Sequence, residues 1–509
     1  MPGPTPLGTR LRHLNAHVGA HPRVALCLAL LPFLALAWRE WPFQPDLGAG
    51  DYAQYLAHAA ALIEGRPYTD TGYLYNPAVW GWAPLAYPPG WPLTLAVVGT
   101  VFGLDIGIAK AVTLLFACGS LLLAGAYFRR EQGLSLGVGV VLVAGLSVDF
   151  VTGAVVPLSD LPFAAIVWLT LLVADAPVTW GWKRSAAVTS LAGLAVLFRP
   201  HGVVLVAALA AWALFARRRH GNWVLGPPAA LLFATVVGRL VMPDDLMRAL
   251  PSFDTLLQNL RDTGARDLRV VFESHLYPFG VNPLDDAYHA VGLATMLLGL
   301  VVFMRSEPRR LVTVFAVAYA AALAVLSYRI SPRFGLPLFP LFVFGLLNGI
   351  RVLADRARPG AGHGASLSLA TLLMIGVVVP RLAADREPRV IDSPAFQALV
   401  AHLRTRVASG EEPRVASVRP RILAWETGAP GMVLLLRGEP DTHLGTWCDF
   451  GITHVILGPG RIPGGATDAA RRAIEAFPTA FELAWENEAF VEYRFDRAVA
   501  CREARPVGR

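Results

Sequence analysis

Long apolar segments alternate with short polar or basic segments over the first three quarters of the chain. About eleven of them are long enough, or nearly so, to cross a bilayer hydrocarbon core, which takes about 20 helical residues. These segments are 24–38, 106–128, 134–156, 161–173, 185–198, 201–215, 223–241, 287–304, 311–328, 334–350 and 366–379. The pattern predicts an all-α polytopic membrane protein with about eleven transmembrane helices.

Composition agrees with that prediction. The 509 residues are 55% hydrophobic and 16% charged, against about 25% charged residues in an ordinary soluble domain, and the mean hydropathy is +0.49. The net charge of +7 and a pI near 9.4 do not indicate nucleic-acid binding. The arginines lie between apolar segments, not on an amphipathic face interleaved with aromatic residues.

Basic residues give the orientation in the membrane, because short cytoplasmic loops are rich in Lys and Arg. Basic clusters fall on one side of the predicted helices, at 10–23, 129–130, 183–184, 217–219, 305–310 and 351–358. We therefore expect a multi-pass protein of the cytoplasmic (inner) membrane with a cytoplasmic N-terminus. The first apolar segment lacks a small-residue cleavage site, so it is interpreted as an uncleaved helix.

The opposite side then carries the loops 39–105, 157–160, 199–201, 243–286 and 329–333, together with the tail from residue 381. The predicted organisation is a membrane catalytic domain, 1–380, and a small extracytoplasmic α/β domain, 381–509. In the tail, 453–459 has the pattern of a buried strand, 467–478 that of a helix, and 481–495 that of a hairpin. Cys448 and Cys501 lie in this tail without metal-ligand spacing, and an oxidising compartment would allow them to bond.

The first outer loop, 39–105, combines a carboxylate with aromatic residues. Asp51, Tyr55 and His58 recur at helical spacing, which predicts an interfacial helix that ends near Gly65. A second interfacial helix is expected at 91–102. Asp51 could simply stabilise the helix start, and the aromatic residues, Tyr87 and Trp91 among them, could form an interfacial belt or a wall for a sugar ring or lipid chain.

A second outer carboxylate, Asp160, lies in a very short turn between Pro157 and Pro162. Ser159 and Asp160 could cap the next helix, but a charge at that depth is costly unless it is paired or functional. Asp51 and Asp160 can converge, and converging carboxylates suit general-base chemistry or a divalent metal. Whether a metal is needed stays open.

Arginines also lie at the outer surface. Arg329 and Arg333 stand between two long apolar segments, where they could be snorkelling residues or could hold a phosphate in bidentate fashion. Arg199 and His201 lie at the same surface with a weaker signal.

Taken in order, these motifs resemble the GT-C superfamily of membrane glycosyltransferases, in the protein-mannosyltransferase and aminoarabinose-transferase branch. The residues that carry the resemblance are "DYAQYLAHAAALIEGRPY", "YPPGWPLTLAVVGTVFG", "LSDLPFAAIVWL", "LFRP" and "SPRFGLPLFPLF". In the tail, "SVRPRILAWETG" and "GITHVILGP" are similar to the outer domain of bacterial members. The resemblance covers most of the membrane portion.

The resemblance implies the GT-C fold, a polyprenyl-phosphate sugar donor and an extracytoplasmic protein, lipid or glycan acceptor. It also implies roles for individual residues. Asp51 would be the catalytic base, Asp160 would assist the acceptor or a metal, and Arg333 would bind the donor phosphate, helped by Arg329 and Arg199. A substrate pocket is expected from Tyr55, His58, Tyr87, Trp91 and His201. A single Asp at position 51 departs from branch members that carry paired acidic residues.

Two other classes of protein are kept as alternatives. A transporter or lipid flippase could use the same carboxylates and arginines for a charged headgroup, although the sequence lacks paired halves with corresponding broken helices. A scaffold or sensor would make Asp51 and Asp160 replaceable. No P-loop or HExxH motif is present.

Overall fold

The computed structural model describes residues 21–43, 50–76, 84–177, 181–220, 226–241, 261, 284–306, 310–325, 332–384, 389–435, 438–459 and 465–503. The chain forms two compact units. The helical unit contains Met1–Pro42 and Lys110–Asp385, and the α/β unit contains Phe43–Ala109 and Arg386–Arg509. The first outer loop thus groups with the tail, whereas the predicted domains place it with the membrane helices. The functional division into membrane and extracytoplasmic domains stays a prediction.

The helices follow the predicted segments closely. In chain order they are α1 (Pro22–Leu28), α2 (Leu31–Glu40), α3 (Asp51–Glu64), α4 (Gly90–Phe102), α5 (Ile106–Gln132), α6 (Leu134–Ala144), α7 (Val148–Ala154), α8 (Asp160–Ala174), α9 (Trp182–Phe198), α10 (Gly202–His220), α11 (Gly226–Val241), α12 (Leu284–Ser306), α13 (Leu311–Val325), α14 (Phe339–Ala357) and α15 (Gly362–Ala383). The two segments of the first outer loop that are predicted to lie in the interface are helical, at 51–64 and 90–102.

Not every apolar helix is long enough to cross a membrane by itself. Within the described residues, three stretches meet the length and hydropathy of a span: Pro22–Glu40, α5 and α15. A fourth is present if α6 and α7, bent by 73° at their junction, form one broken span. The apolar stretches of other helices, such as Asp160–Ala174, Ala290–Ser306 and Leu311–Ala324, are shorter, so the count of about eleven spans stays a prediction.

Glycines let two helices of the helical unit pack closely. A Cβ on Gly299 of α12 would lie 1.9 Å from the carbonyl oxygen of Gly345 on α14, and one on Gly349 would lie 2.0 Å from that of Thr295. Asn348 adds a hydrogen bond from Nδ2 to the Gly299 carbonyl at 2.9 Å. Small residues at a crossing allow this backbone contact, as in membrane helix pairs generally.

The tail contains α16 (Pro394–Ala408), β1 (Val415–Ser417), α17 (Pro420–Thr427), β2 (Gly431–Val433), α18 (Pro440–Asp449), β3 (His454–Leu457), α19 (Ala466–Ala476), β4 (Phe481–Glu486), β5 (Val491–Phe495) and α20 (Arg497–Glu503). The sheet order is β2-β1-β3-β5-β4. Strands β2, β1 and β3 are parallel, while β5 is antiparallel to β3 and β4. The predicted strand, helix and hairpin of the tail are therefore confirmed as β3, α19 and β4–β5.

The first outer loop is built into this unit. Tyr73 bridges to Gly431 of β2, the amide of Leu74 donates to the Gly431 carbonyl at 2.8 Å, and the Gly431 amide donates to the Gly72 carbonyl at 2.9 Å. Leu74 also packs against the core of the tail. The loop thus extends the sheet edge by a short pairing.

The core of the α/β unit is formed by buried residues of the strands and of the helices beside them, including Ala416, Met432, Leu444, Trp447, Val455, Ala470 and Phe495. A covalent link joins two of these helices. A disulfide joins Cys448 of α18 to Cys501 of α20, with their Cα atoms 5.9 Å apart. The predicted pairing of these two cysteines is confirmed.

Candidate active site

The helix that carries Asp51 begins at a glycine in the left-handed region. Gly50 has φ = 91°, and Asp51 is the first residue of α3. A Cβ on Gly50 would lie 2.7 Å from Cγ1 of Ile422 in α17. Only glycine can adopt this φ angle and leave room for Ile422 without strain. Gly50 therefore allows the start of α3, which carries Asp51, to lie against α17.

Asp51 forms a buried ion pair with an arginine from the tail. Nη1 of Arg421 lies 2.8 Å from Oδ1 of Asp51, and the side chains are 1% and 6% exposed. Arg421 also donates from Nη1 to the Tyr87 hydroxyl at 3.0 Å and from Nη2 to the Pro84 carbonyl at 3.2 Å. A buried charge is tolerated when it is paired and hydrogen-bonded in this way.

Tyrosine rings enclose the guanidinium. The Arg421 Cζ lies 4.7 Å from the ring centroid of Tyr73 and 5.5 Å from that of Tyr87, within the range of a cation–π contact. Burial raises the pKa of Tyr73 to about 12, against the opposing effect of Arg421. Burial also raises the pKa of Tyr87 well above its ordinary value. Both hydroxyls are therefore neutral at physiological pH.

The other predicted pocket residues of this loop lie in the interior beside the ion pair. Tyr55 stacks on Tyr87 with ring centroids 4.4 Å apart. His58 stacks on Tyr68 at 4.2 Å, and its Nδ1 lies 2.6 Å from the Tyr68 carbonyl. Burial lowers the pKa of His58 to about 4, so the imidazole is neutral. Trp91 is fully buried, and the role of these residues in a substrate pocket stays a prediction.

A second cluster lies in the helical unit, around Phe334. Asp160, at the start of α8, forms an ion pair with Arg199 at the end of α9. The Arg199 Cζ lies 5.1 Å from the Phe334 ring centroid, and the Arg333 Cζ lies 5.5 Å from it. The structure thus brings together Asp160, Arg199 and Arg333, which the sequence places in three separate loops.

His201 completes this second cluster. Its ring lies 5.4 Å from Phe334 and 6.1 Å from Tyr319 of α13, and the Tyr319 hydroxyl donates to the Phe334 carbonyl at 3.1 Å. Arg329 lies outside the described residues. The expected convergence of Asp51 and Asp160, which belong to different units, stays a prediction.

A role for Arg421 is not predicted from the sequence, although the motif "SVRPRILAWETG" contains this residue. The available signal was the position of an arginine at the start of the mostly apolar helix in "SVRPRILAWETG". Arginine is almost never fully buried unless it is paired. A buried arginine in that pattern therefore predicts an acidic partner, but the chain contains many Asp and Glu residues that could be that partner.

The surroundings of Asp51 do not fit a divalent cation. Its Oδ1 contacts a guanidinium, and within the described residues no group of three or more His, Cys, Asp or Glu side chains could hold a metal ion. Hard cations such as Mg²⁺ and Ca²⁺ need several oxygen ligands.

Comparisons with solved structures identify the fold. ArnT from Cupriavidus metallidurans bound to undecaprenyl phosphate is similar with a TM-score of 0.57 and 14% sequence identity, over 92% of this chain and 97% of that one. The archaeal oligosaccharyltransferase AglB from Archaeoglobus fulgidus, in complex with an inhibitory peptide and a dolichol-phosphate, gives 0.58 and 12%, over 87% and 70% of the two chains.

Both neighbours are GT-C glycosyltransferases, and the chain has the fold of that superfamily, as the sequence motifs predict. No protein-family model matches the sequence, and no curated protein matches it. At these identities the likeness concerns the fold.

Proposed function

We propose that the protein is an integral membrane glycosyltransferase that moves a sugar from a polyprenyl-phosphate carrier to an extracytoplasmic acceptor. One observation carries the proposal: over nine-tenths of the chain shares its fold with a glycosyltransferase whose structure contains undecaprenyl phosphate. A second neighbour contains a dolichol-phosphate and a peptide. Lipid phosphate is thus the ligand chemistry common to both.

The proposed reaction needs a base and a means of stabilising the departing phosphate. Asp51 takes the proton from the acceptor hydroxyl, and the oxygen attacks the anomeric carbon of the sugar. The bond between that carbon and the phosphate oxygen breaks, which releases the polyprenyl phosphate. Because Asp51 is only 4% exposed, acceptor binding must displace part of its surroundings.

The cluster around Phe334 supplies the proposed phosphate site. Arg199 and Arg333 approach the same ring, and guanidinium groups bind phosphate through charge-assisted hydrogen bonds. Asp160 holds Arg199 by an ion pair. This contact supports a role for Asp160 in orienting Arg199 in addition to the role suggested by the resemblance.

The disulfide supports an extracytoplasmic tail. Cys448 and Cys501 are bonded, and disulfides persist in oxidising compartments such as the bacterial periplasm or cell surface. Together with the distribution of arginines, this supports a location in the cytoplasmic membrane with the N-terminus inside and the α/β domain outside. The acceptor would then be a protein, lipid or cell-wall glycan.

The test compares cells that lack the protein with cells complemented by the wild-type chain or by Asp51→Asn. Polyprenyl-phosphate sugars and envelope glycans are measured by mass spectrometry. We expect a lipid-linked sugar to accumulate and a glycan to lose one sugar in the absence of the protein. Asp51→Asn should fail to reverse either change, since loss of a general base lowers the rate by about 100-fold or more.

Membrane levels of each variant are compared in parallel, so that a loss of protein is not mistaken for a loss of catalysis. Full restoration by Asp51→Asn would refute the role of Asp51. If the glycans keep their composition while the lipid-linked sugar lies on the other side of the membrane, the flippase alternative would be favoured.

A further inference from the structure

We infer that Arg421 is a positioning residue for Asp51, so that helix α17 of the tail forms part of the candidate active site. The inference rests on the proposed function, in which Asp51 is the base. Nothing in the chain's resemblance to other glycosyltransferases assigns a role to Arg421. Its assignment comes from the contacts that it makes with Asp51 and with the residues around it.

Arg421 is held so that its guanidinium has one orientation. Nη1 reaches both Asp51 at 2.8 Å and the Tyr87 hydroxyl at 3.0 Å, while Nη2 reaches the Pro84 carbonyl at 3.2 Å. The ring of Tyr73 lies 4.7 Å away. A planar guanidinium fixed at three acceptors and against an aromatic ring restricts the carboxylate that it contacts.

Asp51 needs such a constraint if it is to act as a base. It is the first residue of α3 and is only 4% exposed. A general base has to be held within about 0.5 Å of its productive position. Arg421 provides Asp51 with a charged hydrogen bond, from a segment that lies 370 residues away in sequence.

The geometry also explains why the tail packs on the first outer loop. Gly50 permits α17 to approach the start of α3, since a Cβ there would lie 2.7 Å from Ile422 Cγ1. The pairing of Tyr73 with Gly431 holds the same loop at the sheet edge. Both contacts place Arg421 against Asp51, so the tail takes part in transfer through this arginine.

The experiment uses the full-length protein with Arg421→Lys, Arg421→Met and Tyr87→Phe. Tyr87→Phe keeps the ion pair and removes a hydroxyl that accepts from Arg421 and also hydrogen-bonds with Asp51. The matched control is Arg404→Met, because Arg404 also pairs with a carboxylate of α17, that of Glu426 at 2.7 Å, but is 56% exposed. Asp51→Asn is the reference for loss of the base.

Three quantities are measured for each variant: restoration of the envelope glycan per amount of membrane protein, the dissociation constant of the purified protein for undecaprenyl phosphate, and the melting temperature. We expect Arg421→Met to lower transfer by about 10- to 100-fold, as a misplaced catalytic group does. Arg421→Lys should recover part of the transfer, and Tyr87→Phe should lower it with little change in melting temperature. Binding of undecaprenyl phosphate should stay unchanged, and Arg404→Met should behave as wild type.

Wild-type transfer by both Arg421→Lys and Tyr87→Phe would overturn the inference, even if Arg421→Met fails to fold. Weaker binding of undecaprenyl phosphate by Arg421→Lys would also overturn it, because Arg421 would then act on the donor. Wild-type transfer by Asp51→Asn would instead refute the proposed function, so the two failures are distinguishable.

Discussion

At the scale of single residues, burial and neighbouring groups set the charge state of several ionisable side chains inside the α/β unit. Arg421 is charged: burial lowers its pKa, but Tyr87 and Asp51 outweigh that effect and raise it. His58 is neutral, because burial lowers its pKa to about 4. The same cause lowers the pKa values of His443 and His454 to about 4.

The state of His58 predicts a loss of stability in acid. Its pKa rises from about 4 in the folded chain to about 6.5 when unfolded, so the unfolded state binds more protons between these values. The contribution of neutral His58 to the free energy of unfolding is fully present above pH 6.5, and about 3 kcal/mol of it is lost as the pH falls to 4. We expect His58→Gln, which keeps a donor for the Tyr68 carbonyl, to narrow the difference in melting temperature between pH 7 and pH 4.5. An unchanged difference would contradict this.

The arginines near Phe334 make a second prediction at this scale. Arg333→Gln should weaken binding of undecaprenyl phosphate by about 10- to 100-fold, since a charge-assisted hydrogen bond contributes about 1.5–3 kcal/mol. Arg305→Gln, a change in the last turn of α12 on the predicted cytoplasmic side, serves as the control. Binding can be followed by native mass spectrometry of the purified protein, and equal affinity of the two variants would argue against a phosphate site at Arg333.

At the scale of elements, the contact between α3 and α17 depends on one backbone position. Gly50 and Gly65, which flank α3, both have positive φ angles, of 91° and 67°. A Cβ on Gly50 would meet Ile422, whereas one on Gly65 would meet nothing within 4 Å. The two glycines therefore separate the cost of the backbone conformation from the cost of the helix contact.

Gly50→Ala should destabilise the unit more than Gly65→Ala. A left-handed conformation costs each alanine variant about 1–2 kcal/mol, and the Gly50 variant must also displace α17. We expect a lower melting temperature for Gly50→Ala and, through Asp51 and Arg421, a lower rate of transfer. Equal melting temperatures for the two variants would show that α17 can shift to make room for the Cβ without a loss of stability.

At the scale of the whole molecule, the central question is which side of the membrane carries the α/β domain. The cysteines can answer it. Cys501 is exposed in the described structure, and the substitution Cys448→Ala would leave Cys501 with a free thiol. The bond closes a separation of 53 residues, so its removal should also lower stability by about 2–4 kcal/mol.

We expect a membrane-impermeant maleimide to label Cys501 in intact spheroplasts of a Cys448→Ala variant that also lacks Cys27 and Cys118. The wild-type disulfide should block this labelling until a reductant is added. Inverted membrane vesicles provide the control. Labelling only in those vesicles would place the tail in the cytoplasm and reverse the predicted topology.

The sequence by itself determined the positions of the apolar helices and, in the tail, of β3, α19 and the β4–β5 hairpin. Apolar runs and local periodicity act over a few residues, so α5, α8 and β3 lie where the pattern predicts them. It also indicated Asp51 and Asp160 as candidate site residues, because a carboxylate next to an apolar segment is costly, and their roles stay predictions. The motifs indicated the fold that the structural neighbours share.

Tertiary structure alone decided which of these residues meet. The pairing of Asp51 with Arg421 spans 370 positions, and the grouping of the first outer loop with the tail depends on the Tyr73–Gly431 pairing. The approach of Arg199 and Arg333 to one ring likewise joins separate loops. Such contacts depend on packing between distant segments, and a local sequence pattern allows many partners for each buried charge.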